Sequence, residues 1–312
     1  MRVVLVEPHP AAAEVVGRML EARDHEVRTF ADGHEALACV KSDPDIGAVI
    51  TAVEPRSMSG LELCWETRLV AGSQRPIYVI LMSGATTEDR LAVALDHGAD
   101  DILNNPPAAD ELYARLRAAE RFGNMQRELI RLAVTDSLTG MYNRRGFFER
   151  AMQPCQRAEQ GTPLCAIMAD VDHFKRINDV HGHDAGDKAI FAVGHELMSG
   201  HWHAGRLGGE EFALLLEGRV LAEAVRIAEA LRLRLAALRI PTDKGSLSLT
   251  CSFGVSEWRA GDGIDALLKR ADMALYEAKL GGRNRVVPAD AAFASLIYAG
   301  AGRQVRAVYR NP

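Results

Sequence analysis

Arg206-Leu207-Gly208-Gly209-Glu210-Glu211-Phe212 is the stretch that decides how the second half of this chain is read. Two glycines between β-like residues predict a tight hairpin, Leu207 to Glu210, where a bulky ligand can approach bare backbone. Two carboxylates follow, and alternation along a strand sends one to each face. Upstream, an apolar strand from Cys165 to Asp170 runs into Ala169-Asp170-Val171-Asp172-His173-Phe174-Lys175-Arg176-Ile177-Asn178-Asp179. A carboxylate at a strand end, with the Val171 carbonyl beside it, suits a hard cation. Next comes His181-Gly182-His183-Asp184-Ala185-Gly186-Asp187, a glycine-interrupted turn entering a helix. Backbone amides at such a helix start favour phosphate, and Asn178 or Asp187 could pair with a nucleobase edge. His173, His181 and His183 could suggest zinc, but the oxygen donors around them favour magnesium. Each segment alone also has a plainer reading, a solvated turn or ordinary strand-end charges.

Working outward, helices are expected at about 145–160, 184–199, 219–237 and 264–280. Further strands are expected at Phe212 to Leu216 and at Leu247 to Ser252, extending toward Val255. Helices between strands, with one hairpin, predict an α+β layer containing an antiparallel component. His201 and His203 flank Trp202 in what reads as a surface loop. The first half alternates strands and helices: Val3 to Val6, a helix carrying Ala13, Val16, Met19 and Leu20, Glu26 to Phe30, and a helix opened by Gly33. Strands Ile46 to Val53, Ile77 to Met82 and Asp101 to Leu103 follow, the last ending at Asn105-Pro106-Pro107. That order predicts a doubly wound α/β parallel sheet with helices on both faces, whose ligands sit beyond the strand carboxyl ends.

From Asp110 to about Thr135 the pattern is one long helix with an apolar stripe: Leu112, Leu116, Ala119, Phe122, Leu129, Leu132 and Ala133. The plain reading is a helix packed on its own domain. The sharper one is a coiled coil with a second copy, although Gly123 and Gln126 interrupt the stripe. The chain therefore divides into residues 1–120, a helical linker at 110–135, a second domain at 132–287, and an Ala- and Gly-rich tail at 288–312 with no legible chemistry. A length of 312 residues suits two domains that each bury a core. With 37 Lys and Arg against 42 Asp and Glu, no basic excess draws the chain to nucleic acid or an anionic membrane surface. No apolar run reaches the roughly 18 residues of a membrane span, and no signal peptide is visible. Five scattered cysteines without CxxC spacing fit reduced thiols, so a cytoplasmic location is expected.

The three segments together resemble the GGDEF domain of bacterial diguanylate cyclases, over residues 132–287. The opening run Leu132-Ala133-Val134-Thr135-Asp136-Ser137-Leu138-Thr139-Gly140, with Asn143-Arg144-Arg145, matches that family. So does the closing run Arg270 to Lys279 followed by Gly282-Arg283-Asn284. The signature is present as its Gly-Gly-Glu-Glu-Phe variant. The resemblance implies a fold like those of nucleotide cyclases and a reaction joining two GTP into cyclic di-GMP with release of two pyrophosphates. It implies a homodimer, because each domain would hold one GTP. By the resemblance, Asp170, the Val171 carbonyl, Glu210 and Glu211 hold Mg2+, or Mn2+ in its place. Glu210 is the candidate base for the 3′-hydroxyl, and the sequence does not divide base and metal roles between Glu210 and Glu211. Lys175 would stabilise charge on the transferring phosphate, and Lys279 and Arg283 would hold the terminal phosphates. Asn178 and Asp187 would read guanine, His183 would help bind nucleotide, and Gly208 and Gly209 would let it approach. The Arg-x-x-Asp product-inhibition site of many family members reads Ser199-Gly200-His201-Trp202, so no feedback through it is expected. No Glu-x-Leu-x-Arg phosphodiesterase signature is present. A catalytically silent GTP- or partner-binding scaffold is the alternative from another class. A cyclase making a mixed or adenine dinucleotide is a third.

Residues 1 to about 120 resemble a response-regulator receiver, flavodoxin-like in fold. The strand order, Pro55 with Met58-Ser59-Gly60, Ser83-Gly84-Ala85 and Gly98-Ala99-Asp100-Asp101 carry the likeness. Thr51 stands where the family has its phosphate-accepting aspartate, and Glu7-Pro8 keeps only one of two metal-binding acids. Asn105 replaces the usual lysine, and Ile102 stands at the aromatic switch position. Ser83 alone matches. Glu54, near the lost acceptor, falls on the wrong strand face. The expectation is a degenerate, unphosphorylated receiver kept for dimerisation or for a protein partner, with a cis bond at Asn105-Pro106.

Overall fold

The computed structural model describes residues 1–72, 75–84, 88–243 and 245–289, with backbone alone at 88–91. Most of the tail at 288–312, and Ala85 of the Ser83 motif, lie outside the described residues. The chain divides into two units after Arg131.

In the first unit, strand β1 (Arg2–Val6) sends Val3 and Leu5 to one face and Val4 and Val6 to the other, and both faces are covered. It is joined by β2 (Glu26–Phe30), β3 (Ile46–Ala52), β4 (Tyr78–Ser83) and β5 (Asp101–Asn104) in the order β2-β1-β3-β4-β5, every pair parallel. Helices α1 (Pro10–Glu21) and α5 (Ala109–Val134) bury Val16, Leu20, Leu112 and Leu116 on the Val3 face, with Ile50, Ile80 and Leu103. Helices α2 (Gly33–Ser42), α3 (Gly60–Ala71) and α4 (Glu88–Asp96) bury Leu37, Val40, Leu63 and Ala94 on the other. Asp32 caps α2 and Ser59 caps α3, each accepting backbone N–H bonds. The strand order reverses between β1 and β3, so Glu7 and Thr51 end up at the switch point.

Helix α5 changes character along its length. Leu112, Leu116 and Ala119 are buried, whereas Phe122, Met125, Leu129 and Leu132 are 42–60% exposed. Met125 bridges the gap that Gly123 and Gln126 suggested. The exposed set repeats at three, four and three residues, the spacing of a coiled-coil seam.

The second unit is built on a five-stranded mixed sheet. Its strands are β6 (Leu164–Val171), β7 (His203–Gly208), β8 (Glu211–Glu217), β11 (Cys251–Glu257) and β12 (Val286–Pro288), ordered β12-β11-β6-β8-β7. All neighbours are antiparallel except β11 and β12. Ile167, Ala169 and Val171 face α7 (Phe174–His181), α8 (His183–Leu197) and α9 (Leu221–Ala237). Ala166 and Met168 face α6 (Arg144–Glu159) and α10 (Ile264–Leu280). Helix α10 lies directly on β11: a Cβ at Gly254 would fall 2.0 Å from the Ala271 carbonyl oxygen.

The expected strand from Leu247 is two strands. Leu247 ends the short hairpin of β9 (Ile240–Thr242) and β10 (Gly245–Leu247), pairing with Ile240. The backbone then detours, because the Thr250 carbonyl receives the Asp172 N–H before β11 begins. Helix α7 and strands β9 and β12 were not anticipated: each is short, and α7 begins at His173 in the left-handed region (φ 58°). His203 is not in a loop. It opens β7 half-buried, and burial pushes its ring pKa down. All five cysteines are free, and no helix among the described residues is long and apolar enough to cross a membrane.

Candidate nucleotide site at the Gly-Gly hairpin

The site grows from the ends of two antiparallel strands. Asp170, at the end of β6, lies opposite Glu211, the first residue of β8. Asp170 is 6% exposed, and its Oδ2 pairs with Lys279 Nζ at 2.8 Å. Burial is the main force pushing the Asp170 carboxyl up to about 6; Lys279 opposes the rise, and Glu210 and Glu211 add to it. The cluster thus holds more negative charge than one lysine balances.

Glu210 is not on the strand, contrary to the alternation argument. The β7–β8 register shifts between Arg206 and Gly208, Gly209 takes φ +36°, and Glu210 completes the turn. Opposite-face logic therefore does not apply to the pair. The Glu210 carbonyl instead accepts the Val171 N–H at 3.3 Å, tying the turn to the end of β6. Arg206, quoted in the sequence without a role, donates from Nε to the Gly209 carbonyl at 2.9 Å. Its Nη1 also reaches both Asp136 oxygens at 3.1 Å. Asp136 accepts from Thr139 as well, through N and Oγ1. Burial raises the Asp136 carboxyl, but the Thr139 and Arg206 bonds outweigh it and hold the group below the usual range. The opening motif is therefore a brace for the hairpin, a role no local pattern in the sequence discloses.

Asp172 is a second residue whose part sequence reasoning missed. It is buried and accepts from Thr250 Oγ1 and Ser252 Oγ at 2.7 Å and from the Asn284 N–H at 3.0 Å. The bend it anchors carries Arg283 and Asn284, both at positive φ (64° and 43°). On α7, the Asn178 Oδ1 is buried with no partner among the described residues. A Cβ at Gly186 would fall 1.9 Å from that oxygen, so α8 packs this close only because residue 186 is glycine. Asp187 lines a groove of about 690 Å³ with Leu138 and Phe191. Lys175, His183 and Asp187 are exposed. The stretch Ser199 to Trp202 holds an indole lying over Gly200, with Nε1 donating to the Leu197 carbonyl at 2.6 Å.

No group of three or more His, Cys, Asp or Glu among the described residues converges as a metal-holding cluster. The three histidines named for zinc are therefore not gathered. Asp170, Glu210 and Glu211 stand at the neighbouring ends of β6 and β8 without converging as such a cluster. Their donor chemistry, oxygen only and in excess negative charge, fits a hard divalent cation.

In the first unit, Glu7 is buried and fully engaged. Oε1 accepts from the His9 N–H at 2.9 Å and lies 3.0 Å from His9 Nδ1, and Oε2 accepts from Asn105 Nδ2 at 2.8 Å. Thr51 is buried, with its hydroxyl donating to the Ala52 carbonyl. The Asn105 N–H donates to the Ser83 carbonyl at 3.0 Å, and the Asn105–Pro106 bond is cis. Glu54 lies beyond the end of β3 and is exposed. Ile102 is buried in the sheet.

Residues 133–285 match the diguanylate cyclase GGDEF domain, and residues 3–117 match the response regulator receiver domain. The chain belongs to the GGDEF family and carries a receiver domain ahead of the GGDEF domain. It is 34% identical over 298 residues to the response regulator PleD of Caulobacter vibrioides, covering 87% of this chain and 65% of that protein. It is 39% identical over 198 residues to the diguanylate cyclase VdcA of Vibrio cholerae, covering 62% of this chain and 56% of that one. Among solved structures, the coiled coil and GGDEF domain of DgcB from Caulobacter crescentus, in complex with c-di-GMP, aligns with a TM-score of 0.54 at 31% identity. That alignment covers 58% of this chain and 98% of DgcB's. The chain spans 65% or less of the length of these curated relatives.

Proposed function

We propose that this protein is a diguanylate cyclase that condenses two GTP into cyclic di-GMP and two pyrophosphates. The observation that carries the reading is Asp170, buried, paired with Lys279 and set opposite Glu211 at the mouth of the Gly-Gly turn. Membership of the GGDEF family supports it. The residues sort by what they offer. Asn178 presents a buried, unpartnered carbonyl oxygen that can accept from a guanine N–H, with Asp187 across from it on α8. Lys279 and Arg283 supply a point charge and a planar fork for the terminal phosphates, and Lys175 meets charge on the transferring phosphoryl group. Asp170, the Val171 carbonyl and Glu211 would hold Mg2+, which when bound neutralises phosphate charge. Glu210, on the turn, takes the proton from the 3′-hydroxyl of the partner's GTP. Each domain holds one nucleotide, so two copies must meet face to face. The exposed heptad Phe122, Met125, Leu129 and Leu132 on α5 supports pairing of two chains.

Receiver phosphorylation does not set the output. Thr51 cannot form an acyl phosphate, and both Glu7 oxygens are taken by His9 and Asn105. Product feedback through the Arg-x-x-Asp route is absent, because Trp202 packs on its own turn where the aspartate would stand. The deciding experiment incubates purified protein with GTP and Mg2+ beside Glu210→Ala and separates products by chromatography. Cyclic di-GMP from the wild type alone is expected. No product from demonstrably dimeric wild type would leave the silent scaffold as the better reading. A phosphodonor response abolished by Thr51→Ala would overturn the unphosphorylated receiver.

A further inference from the structure

The cyclase reading uses one side of α7, where Lys175 and Asn178 sit. Arg176, Ile177 and Val180 occupy the opposite side at helical spacing. There they line a separate, solvent-open cavity of about 410 Å³, walled on its other side by the end of α9 and by the stretch joining β10 to β11. That volume lies in the range of small-molecule sites.

The polar lining is strongly one-sided. His173, Arg176, His181 and Arg239 line it, along with the hydroxyl residues Ser248 and Thr250. Among the described residues its one acid is Asp172, whose carboxylate already accepts from Thr250, Ser252 and Asn284. Arg176 has no hydrogen bond or ion pair among the described residues, whereas Arg157, Arg206, Arg232, Arg234 and Arg270 of the same unit are all paired. His181 Nδ1 is buried and lacks a partner among the described residues. A buried ring nitrogen without a partner is costly, and a ligand accepting a hydrogen bond from it would recover that cost. Arg239 folds its Nη1 over the carbonyls at the end of α9 and meets no carboxylate among the described residues. An unpaired guanidinium fork, a second arginine, two imidazoles and the Ser248 hydroxyl match the oxygens of a phosphate group.

We propose that this cavity binds a small phosphate-bearing anion, at a site distinct from the nucleotide site on the other side of α7. The anion would sit against His173, which leads into α7, and against Thr250, which holds Asp172, the anchor of the Arg283 bend, so its occupancy would stiffen both ends of the nucleotide site. That effect on turnover rests on the cyclase reading; the binding itself does not.

The test is calorimetric titration of the full chain without GTP, using inorganic phosphate in one arm and pyrophosphate in the other. In wild type, pyrophosphate is expected to fill a class of site at Lys279 and Arg283 and another in the cavity. The variant Arg176→Gln/Arg239→Gln should lose the cavity class, with affinity falling about tenfold or more for the lost charge-assisted contacts. Lys279→Ala/Arg283→Ala should keep it. Binding by phosphate as well as pyrophosphate would mark a site for a single phosphoryl group; binding by pyrophosphate alone would mark one for a diphosphate. Titrations unchanged by Arg176→Gln/Arg239→Gln, or abolished wholly by Lys279→Ala/Arg283→Ala in a protein with an unaltered circular dichroism melt, would overturn the proposal. Should Lys279→Ala/Arg283→Ala unfold, the loss of one class of site in Arg176→Gln/Arg239→Gln decides alone. Failure to make cyclic di-GMP would leave these results untouched.

Discussion

Asp170→Asn should make the metal-free protein more stable at neutral pH while abolishing turnover. The folded carboxyl titrates near 6 against an ordinary 3.8, chiefly because it is buried, with the pull of Lys279 insufficient to compensate. A carboxyl raised in this way contributes stability that is fully present below about pH 4 and is lost as pH rises through about 6. At about 1.4 kcal/mol per pH unit, the wild type should lose roughly 2–3 kcal/mol between pH 4 and pH 8 that the asparagine variant keeps. Asparagine mimics the neutral acid, so constant packing differences cancel in that comparison. Urea titration with a chelator present measures it. A Trp65→Phe background leaves only Trp202 and Trp258, both in the second unit, to report by fluorescence. A stability difference that stays flat from pH 4 to 8, or that favours the wild type more at pH 8, would refute the reasoning. It would mean that the Lys279 pair, not burial, governs this carboxylate.

Gly254→Ala should destabilise the second unit by about 3 kcal/mol or more, since the added methyl meets backbone of α10 that cannot rotate away; thermal melts followed by circular dichroism check this. Arg206→Met should cost about 1–3 kcal/mol by stranding the largely buried Asp136. Because Asp136 is held below its ordinary range, its contribution is present above the unfolded pKa and fades as pH falls, so the penalty of Asp136→Asn should shrink in acid urea melts. Phe122→Ser/Met125→Ser/Leu129→Ser should shift sedimentation toward monomer and lower specific activity at low protein concentration, with activity rising again as protein is concentrated.

The alternating strands of the first unit were legible because each carries enough apolar residues to show a period, and Val3 to Val6 face as alternation requires. The site was legible where chemistry is unusual for its position: a strand-end aspartate, paired glycines and a glycine-broken helix start. What escaped was set by distant partners. Asp136 and Asp172 are ordinary acids until Arg206 and Asn284 arrive beside them, 70 and 112 residues away. Helix α7 was hidden by its brevity, and the split between β10 and β11 by a backbone bond to Asp172. Glu210 was misplaced because alternation holds only within a strand, and the register shift at the Gly-Gly turn puts it outside one.

Asp172 also bears on when this domain becomes whole during its making. Its carboxylate gathers groups 78, 80 and 112 residues further along the chain. Contacts so far apart in sequence close late, after the loops between them have given up their freedom. A ribosome releases the N-terminal side first, so β6 and α7 emerge with a buried acid still lacking its donors. Only when residue 284 has left the exit tunnel can the last of them dock. A partly synthesised chain would thus carry the hairpin and its glutamates yet lack a fixed Arg283 bend, and the site would be completed in a single late step.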